Sequence, residues 1–219
     1  MAIRVVISDF GGVLTTPLIG SFMAFQDRTG ISGESLGNAM LRIYERDGEH
    51  PLYELEKGHV SEDAFLTTLR TELAVELGHA PEMHGFKEVY FDAIDPNEPM
   101  IDLMREARAA GMRMALLTNN VREWEPLWRS MLPVDEIFEL VVDSAFVGMR
   151  KPEPEIYRLT LERLRAHDAE ELGDLEFNQC LFVDDVEVNC TAARELGIAA
   201  VRFESNDQTI AEVRAALAR

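Results

Sequence analysis

Apolar residues along this chain follow two periods. Short, mostly apolar runs cover 3–8, 113–117, 137–142 and 179–183, each bounded by turn residues, as in strands buried on both faces of a parallel sheet. Elsewhere apolar residues recur every three or four positions, over 17–29, 32–46, 61–77, 81–93, 100–110, 124–130, 153–166, 188–196 and 209–218, and this spacing predicts amphipathic helices. A further short strand is expected at 199–203. Gly30, Gly58 and Gly78 break the early helices, and Ser61 followed by Glu62 and Asp63 suits a helix start. Strands alternating with helices predict an α/β fold, a doubly wound, Rossmann-like parallel sheet. About eighty residues of helical pattern interrupt that alternation after the first strand. We therefore expect 16–95 to form a helical cap inserted into a core made of 1–15 and 96–219.

Each apolar run stops on polar groups. The first ends at Asp9, before Gly11 and Gly12, where backbone can approach a ligand closely. The second ends at Thr118 and Asn119, a hydroxyl and an amide suited to phosphate oxygens. The fourth ends at Asp184 and Asp185, while Lys151 lies in a loop before a helix that Pro152 and Pro154 would open. Taken singly, these are ordinary turn and cap chemistry. In an open α/β sheet, however, ligands sit beyond the carboxyl ends of the strands, so the four stops read as one site. Carboxylates about 4 Å apart repel by roughly 4 kcal/mol at an effective dielectric near 20, so the three Asp residues must hold protons or a cation. Oxygen ligands with room for waters and a phosphate favour Mg²⁺. Lys151 would offset charge on a transferring group.

Charge and composition narrow the partners. The 219 residues carry a formal net charge of -19, which argues against a general nucleic-acid partner but leaves room for a small phosphorylated substrate held by Lys151 and a metal. No apolar stretch reaches the roughly 18 residues of a membrane span, and with no basic segment and apolar h-region visible ahead of the first strand, no signal peptide is expected. A cytoplasmic monomer or small homo-oligomer is expected. Cys180 and Cys190 read as buried small hydrophobes.

The order Asp-x-x-Gly-Val, Thr-Asn, Lys-Pro and Asp-Asp-x-x-x-Asn resembles the haloacid dehalogenase superfamily of hydrolases across essentially the whole chain. The strings GMRKPEPEIY and LFVDDVEVNCTAARELGI carry that likeness most specifically. DFGGVLTTP and VDDVEVN look most like the branch containing the phosphatase lobe of soluble epoxide hydrolases and small sugar-phosphate phosphatases. The resemblance implies a nucleophilic Asp9 that forms an aspartyl-phosphate, with Mg²⁺ on Asp9, the Gly11 carbonyl and Asp185, and Asp184 set slightly further back. It implies phosphate held by Thr118, Asn119, Lys151 and the Gly12 backbone, with Asn189 orienting the acidic loop. Small phosphate monoesters, sugar phosphates among them, are the implied substrates.

One position departs from that pattern. Typical phosphatases of the superfamily place a second Asp, the acid that protonates the leaving alcohol, two residues after the nucleophile, where this chain has Gly11. Two alternatives follow: a regulatory protein that binds phosphate without turnover, and a carbon-halogen hydrolase, which also lacks that acid but has no use for the Asp184 and Asp185 pair. Among other residues, Arg122 is a candidate substrate contact, and His50 or His59 would reach the cleft if the cap closes. The remaining histidines, His79, His84 and His167, read as surface or capping groups. The segments 47–52 and 14–18 are the expected cap contacts with substrate.

Overall fold

Residues 2–83 and 85–218 are described by a computed structural model, so the reading of His84 lies outside the described residues. Strands β1 (Val5–Ser8), β2 (Arg113–Thr118), β3 (Leu140–Asp143), β4 (Cys180–Asp184) and β5 (Ala199–Arg202) form one parallel sheet in the order β3-β2-β1-β4-β5. β1 is central: Val5 pairs with Arg113 on one side and Cys180 on the other. Its alternate residues face opposite cores, Val6 with one cluster and Val5 and Ile7 with the other, which is why the run is apolar throughout. Both free cysteines are buried.

Between β1 and α6 (Glu98–Ala109) the described residues form five helices: α1 (Ile19–Thr29), α2 (Gly33–Asp47), α3 (Pro51–Glu56), α4 (Glu62–Leu77) and α5 (Phe86–Asp92). The Ser61 hydroxyl accepts the Ala64 N–H and caps α4, and Gly30 and Gly78 end α1 and α4. The chain leaves and rejoins the sheet side by side: the Thr16 N–H donates to the Asp95 carbonyl at 2.8 Å and the Asn97 N–H to that of Leu14 at 2.9 Å. No helix among the described residues is long and apolar enough to cross a membrane.

After α6 come α7 (Glu125–Met131), α8 (Val134–Ile137), α9 (Ser144–Val147), α10 (Pro154–His167), α11 (Ala169–Leu172), α12 (Glu187–Glu195) and α13 (Asn206–Leu217). The strand expected over 137–142 begins only at Leu140, because Ile137 ends α8 and is buried there. The helix expected over 81–93 shortens to α5, and part of the expected loop 47–52 belongs to α3, which opens on Pro51.

Candidate active site

The parallel register brings the carboxyl ends of β1, β2 and β4 into one row. Asp9 follows β1, its N–H bonded to the Val183 carbonyl at 2.8 Å, and Asp184 closes β4. One carboxylate oxygen from each of Asp9, Asp184 and Asp185 lies within 4.8 Å of the others. Lys151 reaches into this group from the loop before α10, 1% exposed, its Nζ 2.7 Å from Asp9 Oδ1 and 2.7 Å from Asp184 Oδ2.

The two β4 carboxylates differ in what they face. Asp184 is fully buried, and both its oxygens are engaged. Oδ1 accepts from the Val186 N–H at 2.8 Å, Asn189 Nδ2 donates to both oxygens at 3.0 and 3.1 Å, and Oδ2 takes Lys151. Asn189 is itself held, its carbonyl accepting from the Tyr157 hydroxyl at 2.9 Å. Asp185 instead lines the cavity beside Asp9. Asp184 thus fixes Lys151, and Asp185 is the carboxylate presented outward.

Asn119 does something the sequence did not signal. Its side-chain oxygen accepts the Lys151 N–H at 2.9 Å and its amide donates to the Lys151 carbonyl at 3.0 Å. The amide expected on phosphate therefore clamps the main chain of the lysine. Thr118, 1% exposed, lines the cavity floor as expected from its place at the end of β2.

Three carboxylates face one ammonium, and the electrostatics follow. Burial pushes the Asp9 carboxyl up to about 8, opposed by Lys151 and reinforced by Asp184 and Asp185. Burial alone would lower Lys151, but Asp184 and Asp9 outweigh it and hold the ammonium above its usual range. Asp185 is raised by burial and by Asp184. The excess negative charge on oxygen-only donors suits a hard divalent cation. Gly12 makes room for this arrangement: its φ is +75°, and a Cβ there would overlap Asp185 Oδ2. Gly11 has no such constraint, since a Cβ would meet only the Leu18 side chain, at 3.3 Å.

A cavity of about 550 Å³ rises from this floor into the helical insert. Helix α3 of the insert meets the sheet side through polar contacts. Glu56 pairs with Arg150 at 2.6 Å, Lys57 with Glu153 at 2.9 Å, and the Ser144 hydroxyl donates to the Glu56 carbonyl at 2.6 Å. The Arg150 guanidinium also lies 3.9 Å over the Tyr53 ring. Burial raises the Glu56 carboxyl against the pull of Arg150. Sequence reasoning missed Glu56 and Arg150; adjacency of Arg150 to Lys151 was the available signal.

Other expectations change. Arg122 does not line the cavity: Nη2 and Nε donate to the Ala145 carbonyl at 2.6 and 3.2 Å, and its guanidinium stacks on Phe146. His59 pairs with Glu54 at 2.9 Å, and His50 packs 4.3 Å from the Tyr53 ring, so neither lines the cavity. From the two expected contact segments, Leu18 and Leu52 do line it.

Comparison with known proteins matches residues 3–197 to the family described as haloacid dehalogenase-like hydrolase. The chain is 25% identical to bifunctional epoxide hydrolase 2 of Mus musculus over 97% of its own length and 38% of that protein, so it spans well under half of that curated relative. It is 23% identical to a sesquiterpene phosphatase of Aspergillus oryzae, covering 96% of this chain and 95% of the relative. Among solved structures, a HAD family enzyme of Bacteroides thetaiotaomicron superposes with a TM-score of 0.69 at 23% identity, over 92% of this chain and 94% of that one. That likeness shows the fold. The match over residues 3–197, together with a parallel sheet whose carboxyl ends carry Asp9 and Asp184 beside Lys151, makes this protein a haloacid dehalogenase-like hydrolase.

Proposed function

We propose that the protein is a Mg²⁺-dependent phosphatase of small phosphate monoesters working through an aspartyl-phosphate on Asp9. The observation that carries this reading is the outward carboxylate of Asp185 crowded against Asp9 with a single lysine to offset the cluster. A carbon-halogen hydrolase needs no cation, and for it this crowding would be an uncompensated cost. The phosphatase name of the Aspergillus relative supports the same reading.

Asp9, Asp185 and the Gly11 carbonyl would hold the metal, with Asp184 behind them. When bound, the cation supplies positive charge to the phosphate oxygens and favours the ionised form of Asp9. Asp9 would attack phosphorus as the ester P–O bond breaks, the leaving alkoxide taking its proton from solvent water because Gly11 offers none, and a further water would hydrolyse the acyl-phosphate, releasing inorganic phosphate and returning the carboxylate. Lys151, fixed by Asp184 below and by Asn119 along its main chain, offsets charge on the transferring group. Thr118 and the main chain at Asn119 and Gly12 complete the phosphate site. We place the core at 1–15 and 96–219 and the cap at 16–95. The side-by-side crossing at Thr16 and Asp95 supports that division. Closed over the site, the cap would exclude water.

Phosphate release from a panel of phosphate esters, with and without Mg²⁺, tests the reading in wild type and Asp9→Asn. Metal-dependent release abolished by the substitution is expected. Tight phosphate binding without release from either protein would favour instead the non-catalytic reading that Gly11 allows.

A further inference from the structure

The cavity above Asp9 has a polar floor and apolar walls. Asp9, Thr118, Lys151 and Asp185 line the floor, while Leu36 and Met40 of α2, Phe65 and Leu69 of α4, Phe91 of α5 and Trp124 belong to the walls. Charged side chains among the described lining residues, apart from the floor, are Glu56 and Arg150, and these neutralise each other at 2.6 Å. At about 550 Å³ the space is far larger than a packing defect and falls within the range of about 300–1,000 Å³ usual for ligand pockets. It is continuous with Asp9, so a substrate held at the nucleophile would place the rest of its body in this space.

A polyol phosphate would bury most of its hydroxyls against Leu36, Phe65 and Leu69, with only a few wall groups such as the Tyr53 and Tyr90 hydroxyls and the unpartnered Trp124 Nε1 to replace the water they lose. A hydrocarbon makes no such demand and gains from every methylene it brings out of water. Resting on the phosphatase reading, we propose that the substrate is the phosphate monoester of an extended apolar alcohol, with its phosphate on the floor and its hydrocarbon chain between α2, α4 and α5. The sugar phosphates expected from the sequence resemblance fit these walls poorly.

A series of n-alkyl phosphates from ethyl to decyl, beside glycerol and glucose phosphates, tests the proposal by Mg²⁺-supported phosphate release. In parallel, the Asp9→Asn protein is titrated with the same esters, with Trp124 fluorescence reporting occupancy of the cavity. We expect kcat/KM to rise about fourfold per added methylene until the cavity is full, and binding by Asp9→Asn to rise in step. Met40→Trp, which fills part of the wall, should flatten the gain for the longest esters. Release that is as fast from glucose or glycerol phosphate as from decyl phosphate would overturn the proposal and leave the phosphatase reading standing. Chain-length-dependent binding without release from any ester would support the apolar site and remove the phosphatase reading. Binding indifferent to chain length would overturn the proposal whatever the turnover.

Discussion

If the protein hydrolyses alkyl phosphates as proposed, Gly11→Asp should speed their turnover. The backbone at Gly11 is not in the left-handed region, and the nearest atoms to an added Cβ are Leu18 Cδ1 at 3.3 Å, Cδ2 at 3.6 Å and Cγ at 3.8 Å. Moving Leu18 off its rotamer costs about 0.5–1.5 kcal/mol, and the loss of glycine's freedom in the unfolded chain returns about 0.4–1 kcal/mol. Stability should therefore hardly change. The new carboxyl would line the same cavity as Asp9 and Asp185, whose negative charges favour its protonated form against the pull of a bound cation, as a general acid requires. Protonating the leaving oxygen is worth about 10²- to 10⁴-fold, or roughly 3–5 kcal/mol of barrier. The assay compares kcat for decyl phosphate and 4-nitrophenyl phosphate in wild type, Gly11→Asp and Gly11→Asn, with thermal melts alongside. The acid should accelerate only the alkyl ester, because nitrophenolate leaves without a proton, and Asn should accelerate neither. An equal gain on both esters, or none on the alkyl ester at an unchanged melting temperature, would refute the reasoning.

Lys151→Met should cost the metal-free protein about 3–5 kcal/mol, since it strips the shared partner from two buried carboxylates; urea melts with and without Mg²⁺ should show the cation returning part of that loss. Gly12→Ala must shift Asp185 and adopt a positive φ at a cost of about 1–2 kcal/mol, so calorimetric Mg²⁺ affinity should fall while binding of an alkyl alcohol in the cavity is kept. Asp143, buried at the end of β3, has its carboxyl raised by burial from 3.8 to about 6. Its contribution is thus intact below pH 4 and lost as pH rises through 6, a change of about 3 kcal/mol. Asp143→Asn should flatten the stability profile between pH 4 and 7, and a slope identical to wild type in denaturant melts would count against burial as the cause.

The strands were readable because both faces of the sheet are buried, which leaves unbroken apolar runs with polar residues only at their ends. Those ends supplied Asp9, Thr118, Asp184 and Asp185. What the sequence could not show is where a polar side chain finds its partner. Asn119 bonds a main chain 32 residues away, and Arg122 turns to a carbonyl on α9. The cavity was hidden for a related reason. Leu36, Phe65 and Leu69 lie on stripes that predict core packing equally well, and only the gap between helices makes them walls. The short helix α3 escaped because six residues are less than two turns, too few to display a period.

The central place of β1 also governs how the molecule comes together in time. Its partners β2 and β4 begin roughly 110 and 175 residues further along the chain, which puts the sheet among slow, high-contact-order structures. During synthesis the helices between β1 and α6 emerge long before β4 and can fold while β1 waits unpaired. Asp9 meets Asp184 and Asp185 only when β4 docks, so the mutual repulsion of the cluster is deferred until the rest of the sheet is in place to hold it.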